Sequence, residues 1–184
     1  MGTVIWITGL SGAGKSSIAE TLVWRLRHHG VAALLVDGDV VRDIIRDPAV
    51  GHDPQSRLTN AYRISRMAKV FAEQGLTVVV ATMSLFHEIH DWNRKHLPAY
   101  FEVFVKAEMD TLVARDTKGL YHAARAAEVR HVGAVDLPVE FPQHPDLVIE
   151  NNIETADRLE LVEQILQAYE TRISILTGST KVAV

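Results

Sequence analysis

The chain has 184 residues, 47% of them hydrophobic and 23% charged, a globular balance that predicts a single folded domain over 1–176 and a flexible tail over 177–184. Its 19 Lys and Arg against 23 Asp and Glu leave a net charge of -4, which argues against a protein that grips nucleic-acid polymers by neutralising their phosphates. With no cysteine, disulfide frameworks, thiolate zinc sites, iron–sulfur clusters and cysteine nucleophiles are excluded together, and a reducing compartment fits the composition.

The first apolar run, Val4 to Thr8, reads as a strand, and no basic leader or small-residue cleavage site precedes it. Directly after it comes Gly9-Leu10-Ser11-Gly12-Ala13-Gly14-Lys15-Ser16, the pattern G-x-x-x-x-G-K-[ST], followed by a predicted helix from Ser17 to about His29. In that strand–loop–helix setting the glycines let successive N–H groups converge on phosphate oxygens at the positive end of a helix. Lys15 adds a point charge on the β- and γ-phosphates, and the Ser16 hydroxyl is a Mg²⁺ ligand. A nucleoside triphosphate with Mg²⁺ is the expected ligand, with Gly9, Ser11, Gly12, Ala13, Gly14, Lys15, Ser16 and Ser17 around it. No [NT]-K-x-D guanine signature and no L-S-G-G-Q signature follows, so GTPase switches and ABC cassettes fit poorly and a small kinase remains.

The second strand, 32–37, ends in Asp37-Gly38-Asp39, and Val40, Val41, Ile44 and Ile45 predict a short helix beyond it. Two carboxylates beside a P-loop are where a kinase needs a base and a metal partner; the plainer alternative is that Asp39 only caps that helix. Leu58, Ala61, Tyr62, Ala68, Phe71 and Ala72 form an apolar stripe over 57–74, a helix with Gly75 as its C-cap, and Arg63, Arg66 and Lys69 on the opposite side read as a solvated basic face. Strands follow at 77–82 and 100–105, separated by a helix on which His87 and His90 sit three apart, read as surface or acceptor-pocket histidines rather than metal ligands. Trp6, Trp24 and Trp92 are read as core or interface residues. The stretch 116–145 combines Lys118, Arg125 and Arg130 with Gly133, Pro138, Pro142 and Pro145, without an apolar period in its second half, and reads as a mobile lid. A strand at 147–150 and a helix at 155–170 complete a mostly parallel five-stranded α/β sheet, whose ligands bind beyond the strand C-termini. The longest apolar runs, Val31 to Val36 and Leu76 to Ala81, fall far short of the ~20 residues that cross a bilayer, so a cytoplasmic protein without a membrane partner is expected.

On the stretches GLSGAGKSS at 9–17, DGDVVR at 37–42, RLTNAYRISRMAKVFAEQGL at 57–76, FEVFV at 101–105 and RDTKGLYHAAR at 115–125, the chain resembles the adenylylsulfate (APS) kinase family. These kinases have a P-loop fold and phosphorylate the ribose 3′-hydroxyl of adenosine 5′-phosphosulfate. The resemblance runs to about Asn152. It implies that Asp39 is the base on the acceptor hydroxyl, with Lys15 and Lys118 the other catalytic groups. It further implies that Asp37 lies near the metal beside Ser16, that Arg115 belongs with ATP, and that Arg42, Arg57, Asn60 and Lys118 contact acceptor or phosphates. Met83, Ser84, Gly119 and Leu120 fall in its acceptor and lid segments, and a homodimer is its usual assembly.

Two departures bear on the acceptor. The family's Gly-Phe-Ser is Gly51-His52-Asp53 here, and its Phe-Thr-Gly-Ile-Asp is Val132-Gly133-Ala134-Val135-Asp136, so the two phenylalanines that sandwich the adenine become His52 and Val132. The family's Ile-Ser-Pro-Tyr-Arg becomes Met83-Ser84-Leu85-Phe86-His87. In this the chain is similar to the family's capsule-polysaccharide branch, the cytidine diphosphoramidate kinases. Losing two stacking contacts costs about 2–6 kcal/mol, so a purine is weakly clamped and a cytidine 5′-diphosphate derivative is expected to compete with APS. Outside this class stand a small-metabolite P-loop kinase of the gluconate or shikimate type, and a nucleotide-binding regulatory module without catalysis.

Overall fold

The computed structural model describes residues 2–116, 119–126, 128–152 and 157–177. Lys118 and the tail from 178 onward lie outside the described residues. Five strands, β1 (Thr3–Thr8), β2 (Ala33–Asp37), β3 (Thr77–Ala81), β4 (Tyr100–Lys106) and β5 (Leu147–Glu150), form one sheet in the order β2-β3-β1-β4-β5. Every neighbouring pair is parallel, with Val4 in register with both Val78 and Tyr100.

Parallel pairing demands a crossover after each strand, and the crossovers bury both faces of the sheet. Residue alternation in β1 shows the division. Ile5 and Ile7 pack with Ile18, Leu22 and Leu26 of α1 (Lys15–His28) and with Val162 and Ile165 of α7 (Arg158–Thr177). Val4 and Trp6 face the other way, into Ala61, Ile64 and Ala68 of α3 (Pro54–Glu73) and Ile89 of α4 (His87–His96). The remaining helices are α2 (Gly38–Ile45), α5 (Met109–Arg115) and α6 (Leu120–Arg125).

The helix starts depart from the sequence reading for local reasons. α1 begins at Lys15 rather than Ser17, because Gly14, at φ 94, turns the chain straight from loop into helix and puts Lys15 and Ser16 in the first turn. α3 begins at Pro54, three residues early. The Asp53 carboxylate accepts from the Ser56 amide at 3.0 Å and from its hydroxyl at 2.5 Å, and Pro54 occupies the first turn where its missing N–H costs nothing. The C-terminal helix runs from Arg158 to Thr177, longer than the expected 155–170. Residue 75 follows the α3 C-cap Gln74 in the left-handed conformation that glycine permits.

Within 116–145 the described residues are not featureless. Tyr121 of α6 is buried, and Gly133 bridges Leu137 across a turn in which the Asp136 carboxylate accepts from the His131 and Val132 amides at 2.7 and 2.6 Å. Farther on, the Glu140 amide donates to the Leu85 carbonyl and its carboxylate accepts from the His87 amide at 2.7 Å. Side-chain caps and single buried residues hold this part, which is why no apolar period marks it. The basic face of α3 is paired as a solvated face should be: Arg63 with Asp47 at 2.5 Å, Lys69 with Glu73, and Arg66 over the Tyr62 ring. Trp6 is fully buried, Trp92 packs edge-on against Tyr62, and Trp24 is 56% exposed, stacked on His28. His90 is neither on the surface nor in the cleft described below: it is buried with its ring Nε2 3.1 Å from the Ser84 carbonyl. Among the described residues no group of three His, Cys, Asp or Glu could hold a metal unaided.

Candidate active site

All five strands point their C-termini to one edge, and the loops there build the site. The loop after β1 is pinned from several sides. Gly9, at φ 150, lies so close to β4 that a Cβ would sit 2.3 Å from the Val105 carbonyl oxygen. The Tyr121 hydroxyl donates to the Ser11 carbonyl at 2.8 Å; burial, with Asp116 nearby, pushes this phenol up to about 12, so it stays a donor. Lys15 Nζ donates to the Leu10 carbonyl at 2.7 Å, folding the ammonium over the loop. From the far end of the sheet, Asn151 Nδ2 donates to the Ala13 carbonyl at 2.9 Å.

The two aspartates after β2 have different jobs. Asp37, not Asp39, is the N-cap of α2: its Oδ1 accepts from the Asp39 amide at 2.9 Å, with the Val40 amide at 3.4 Å. Its Oδ2 accepts from the Ser16 hydroxyl at 2.7 Å. A serine hydroxyl and a carboxylate oxygen in contact are hard oxygen donors that suit Mg²⁺, which completes its shell with phosphate oxygens and water. Asp39, relieved of capping, sits exposed in the first turn of α2.

Opposite these carboxylates, two arginines hold the loop before α3. Arg42 Nη1 donates to the Gly51 carbonyl at 2.6 Å, and Arg57 Nε donates to the His52 carbonyl at 2.7 Å. Arg57 Nη2 reaches the His131 carbonyl at 2.7 Å, so one guanidinium joins the segments that carry His52 and Val132. Burial, then Arg42, lowers the Arg57 pKa, while Asp39 opposes them. Burial, then Arg42 and Arg57, pulls the His52 imidazole below its ordinary 6.5, so His52 is neutral at pH 7.

One cleft of about 610 Å³ collects most of the expected residues. From the P-loop it takes Ser11, Gly12, Gly14, Lys15, Ser16 and Ser17; from the segments after β2 and β3 and around the start of α3 Asp37, Asp39, Arg42, His52, Arg57 and Met83; from the later segments Arg115, Leu120 and Val132. Gly9 and Ala13 shape the loop from behind, and Gly119 is exposed at the N-cap of α6. Two expected contacts fall elsewhere. Ser84 is buried with its hydroxyl on Thr82, because the chain leaving β3 turns it inward and leaves Met83 facing the cleft. Asn60 is 6% exposed and lines a neighbouring pocket of about 130 Å³ with Arg42, Arg46 and Arg63. Val132 lines the cleft but is only 4% exposed, so it offers less wall than its position in the sequence implies. Sequence reasoning missed Thr82, His131, Asn151 and Arg158, which also line the cleft. None carries a motif; the topology brings Thr82, just after β3, and Asn151, just after β5, to the sheet edge where the P-loop lies.

A family model described as adenylylsulphate kinase matches residues 1–150. The chain is 37% identical over 161 residues to a cytidine diphosphoramidate kinase from Campylobacter jejuni, covering 86% of this chain and 93% of that one. It is 41% identical over 152 residues to an adenylyl-sulfate kinase from Paraburkholderia xenovorans, covering 82% and 84%. Among solved structures, the Mycobacterium tuberculosis APS kinase in complex with AMPPNP and APS superposes with a TM-score of 0.84 at 32% identity, over 92% of this chain and 98% of that one. A P-loop, a two-aspartate turn and an arginine-held wall facing them on this sheet therefore have a family match over most of the chain: it belongs to the adenylylsulphate kinase family of ATP-dependent P-loop kinases.

Proposed function

We propose that the protein transfers the γ-phosphoryl group of Mg-ATP to the ribose 3′-hydroxyl of a nucleotide acceptor, adenosine 5′-phosphosulfate or cytidine diphosphoramidate. The observation that carries this reading is that the P-loop residues share one cleft with Asp39, Arg42, His52 and Arg57. Asp39 accepts the proton of the attacking hydroxyl as the oxygen–phosphorus bond forms, and ADP leaves with the electrons of the broken bond. The P-loop amides and Lys15 stabilise charge on the bridging and terminal oxygens, and Lys118 adds to them from the lid. Mg²⁺, held by Ser16 and Asp37, would neutralise phosphate charge. Most of the acceleration comes from aligning hydroxyl and phosphorus in one dry cleft.

Between the two acceptors, His52 and Val132 favour the cytidine nucleotide. A neutral imidazole stacks on one face and offers a hydrogen bond to a base edge, and the nearly buried Val132 gives a purine little second wall. We further propose that the first part of the 116–145 segment, up to 137, closes as a lid when both nucleotides are bound, the later part being tied to Leu85 and His87 through Glu140, that the assembly is a homodimer, and that the protein works in the cytoplasm; no described helix is long and apolar enough to cross a membrane. ADP release measured against APS, cytidine diphosphoramidate, gluconate and shikimate tests the function. The reading requires turnover with a nucleotide acceptor and none with the small metabolites. Turnover with a small metabolite alone would overturn it, and ATP binding without any turnover would favour a regulatory module.

A further inference from the structure

We infer that Asn151, at the end of β5, is a positioning residue that aims the P-loop at the β-phosphate of ATP. The inference rests on the ATP reading of the P-loop and is independent of the acceptor. Asn151 is 8% exposed, and its backbone is fixed twice: its amide donates to the Lys106 carbonyl at 2.8 Å, and its carbonyl accepts from Arg115 Nη1 at 2.9 Å. From that platform Nδ2 reaches 138 positions back along the chain to the Ala13 carbonyl, at 2.9 Å. The peptide between Ala13 and Gly14 is a rigid trans plane, so its C=O and N–H point in opposite directions. Holding the Ala13 oxygen toward β5 turns the Gly14 N–H the other way, and among the described residues that N–H has no protein hydrogen-bond partner. It is one of the loop donors poised for an anion at the start of α1. The fit leaves no slack: a Cβ on Gly14 would lie 2.7 Å from Asn151 Nδ2, so amide and glycine are matched to each other as well as to the φ of 94. Without the amide the peptide is free to rotate, which would present a carbonyl oxygen to a phosphate.

Asn151 also lines the cleft beside Arg115 and Arg158, so a simpler role in holding the nucleoside end of ATP must be told apart from control of the P-loop. ADP and AMP make the distinction, because only ADP has a β-phosphate. Titration calorimetry with ADP and with AMP, in the presence of Mg²⁺, on the wild type, Asn151→Asp and Asn151→Ala reads it directly. Asn151→Asp keeps the shape, removes the donor and sets a carboxylate against the Ala13 oxygen; Asn151→Ala removes the donor without a charge and serves where the first variant does not fold. The expected result is a loss of about tenfold in ADP affinity, the size of one hydrogen bond to a charged group, with AMP affinity held within about twofold. In turnover, KM for ATP rises and KM for the acceptor stays put. If ADP and AMP weaken together, or if a folded variant binds both as the wild type does, Asn151 does not position the P-loop.

Discussion

The Asp37 carboxylate divides its two oxygens between the Ser16 hydroxyl, at 2.7 Å, and the first amides of α2, so one side chain couples the P-loop helix to the turn that presents Asp39. This division assigns the two aspartates separable phenotypes. Asp39→Asn should cut turnover by about a hundredfold or more, the scale of a lost general base, while Mg-ATP affinity and thermal stability stay near wild type. Asp37→Ala should cost about 1 kcal/mol of stability through the cap and should raise the Mg²⁺ concentration needed for half-maximal rate. Calorimetric ATP binding with a Mg²⁺ titration of the rate checks both. Parallel losses of ATP affinity and turnover in Asp39→Asn would make Asp39 a metal or structural group.

Lys15→Ala should abolish phosphotransfer in a protein that still folds. Its ammonium donates to the Leu10 carbonyl, and in the proposed reaction it stabilises charge on the transferring group, where one such donor is worth about a hundredfold or more. Circular dichroism beside the ADP-release assay checks it. Rates near wild type in the folded variant would remove Lys15 from the mechanism.

Most of the fold was legible in the sequence, because each strand is a short, largely apolar run and parallel connectivity leaves few alternatives. The helix starts were less so: Gly14 and Asp53 move them by two or three residues through φ and capping, local effects that an apolar stripe does not register. In the site, contiguous motifs located Lys15, Asp37, Asp39 and Arg42. What the sequence could not show is which residue meets which. Asp37 holds the cap that only the plainer alternative gave to Asp39, Asn60 turned into a neighbouring pocket, and Asn151 reached the P-loop from 138 positions away.

Stability should fall in mild acid through His90. Burial, against the opposing pull of Glu102, lowers its imidazole below the ordinary 6.5, so the unfolded chain binds a proton more readily than the folded one. The contribution is therefore fully present above pH 6.5 and is lost as pH drops toward the folded value. Urea unfolding between pH 5 and 7 should show a shallower pH slope in His90→Gln than in the wild type. An unchanged slope would mean that His90 carries none of the dependence.

Trypsin should report lid closure at Arg130, an exposed residue that lines the cleft. Cleavage there should be suppressed when an ATP analogue and the acceptor are bound together, and by neither alone. Cleavage at Arg130 that ignores both ligands would count against a lid.

His52→Phe should move preference toward APS by up to roughly a hundredfold in kcat/KM, since a phenyl ring covers more of an adenine face than the imidazole and a whole stacking contact is worth about 1–3 kcal/mol. The matching change at Val132 is a poorer test: at 4% exposure a phenylalanine there would overpack the turn at a cost of about 1–3 kcal/mol. Equal effects of His52→Phe on both acceptors would show that position 52 does not read the base.

The central claim is transfer to a ribose 3′-hydroxyl under the control of Asp39, and the most direct measurement is ADP release with acceptors that differ only in that hydroxyl. The intact nucleotide, its 2′-deoxy form and its 3′-deoxy form are compared, and the product is read by phosphorus NMR. The account predicts turnover with the first two, a new 3′-phosphomonoester in each, no turnover with the 3′-deoxy form, and loss of the signal in Asp39→Asn. Turnover of the 3′-deoxy acceptor, or a phosphate appearing at any other position, would contradict it.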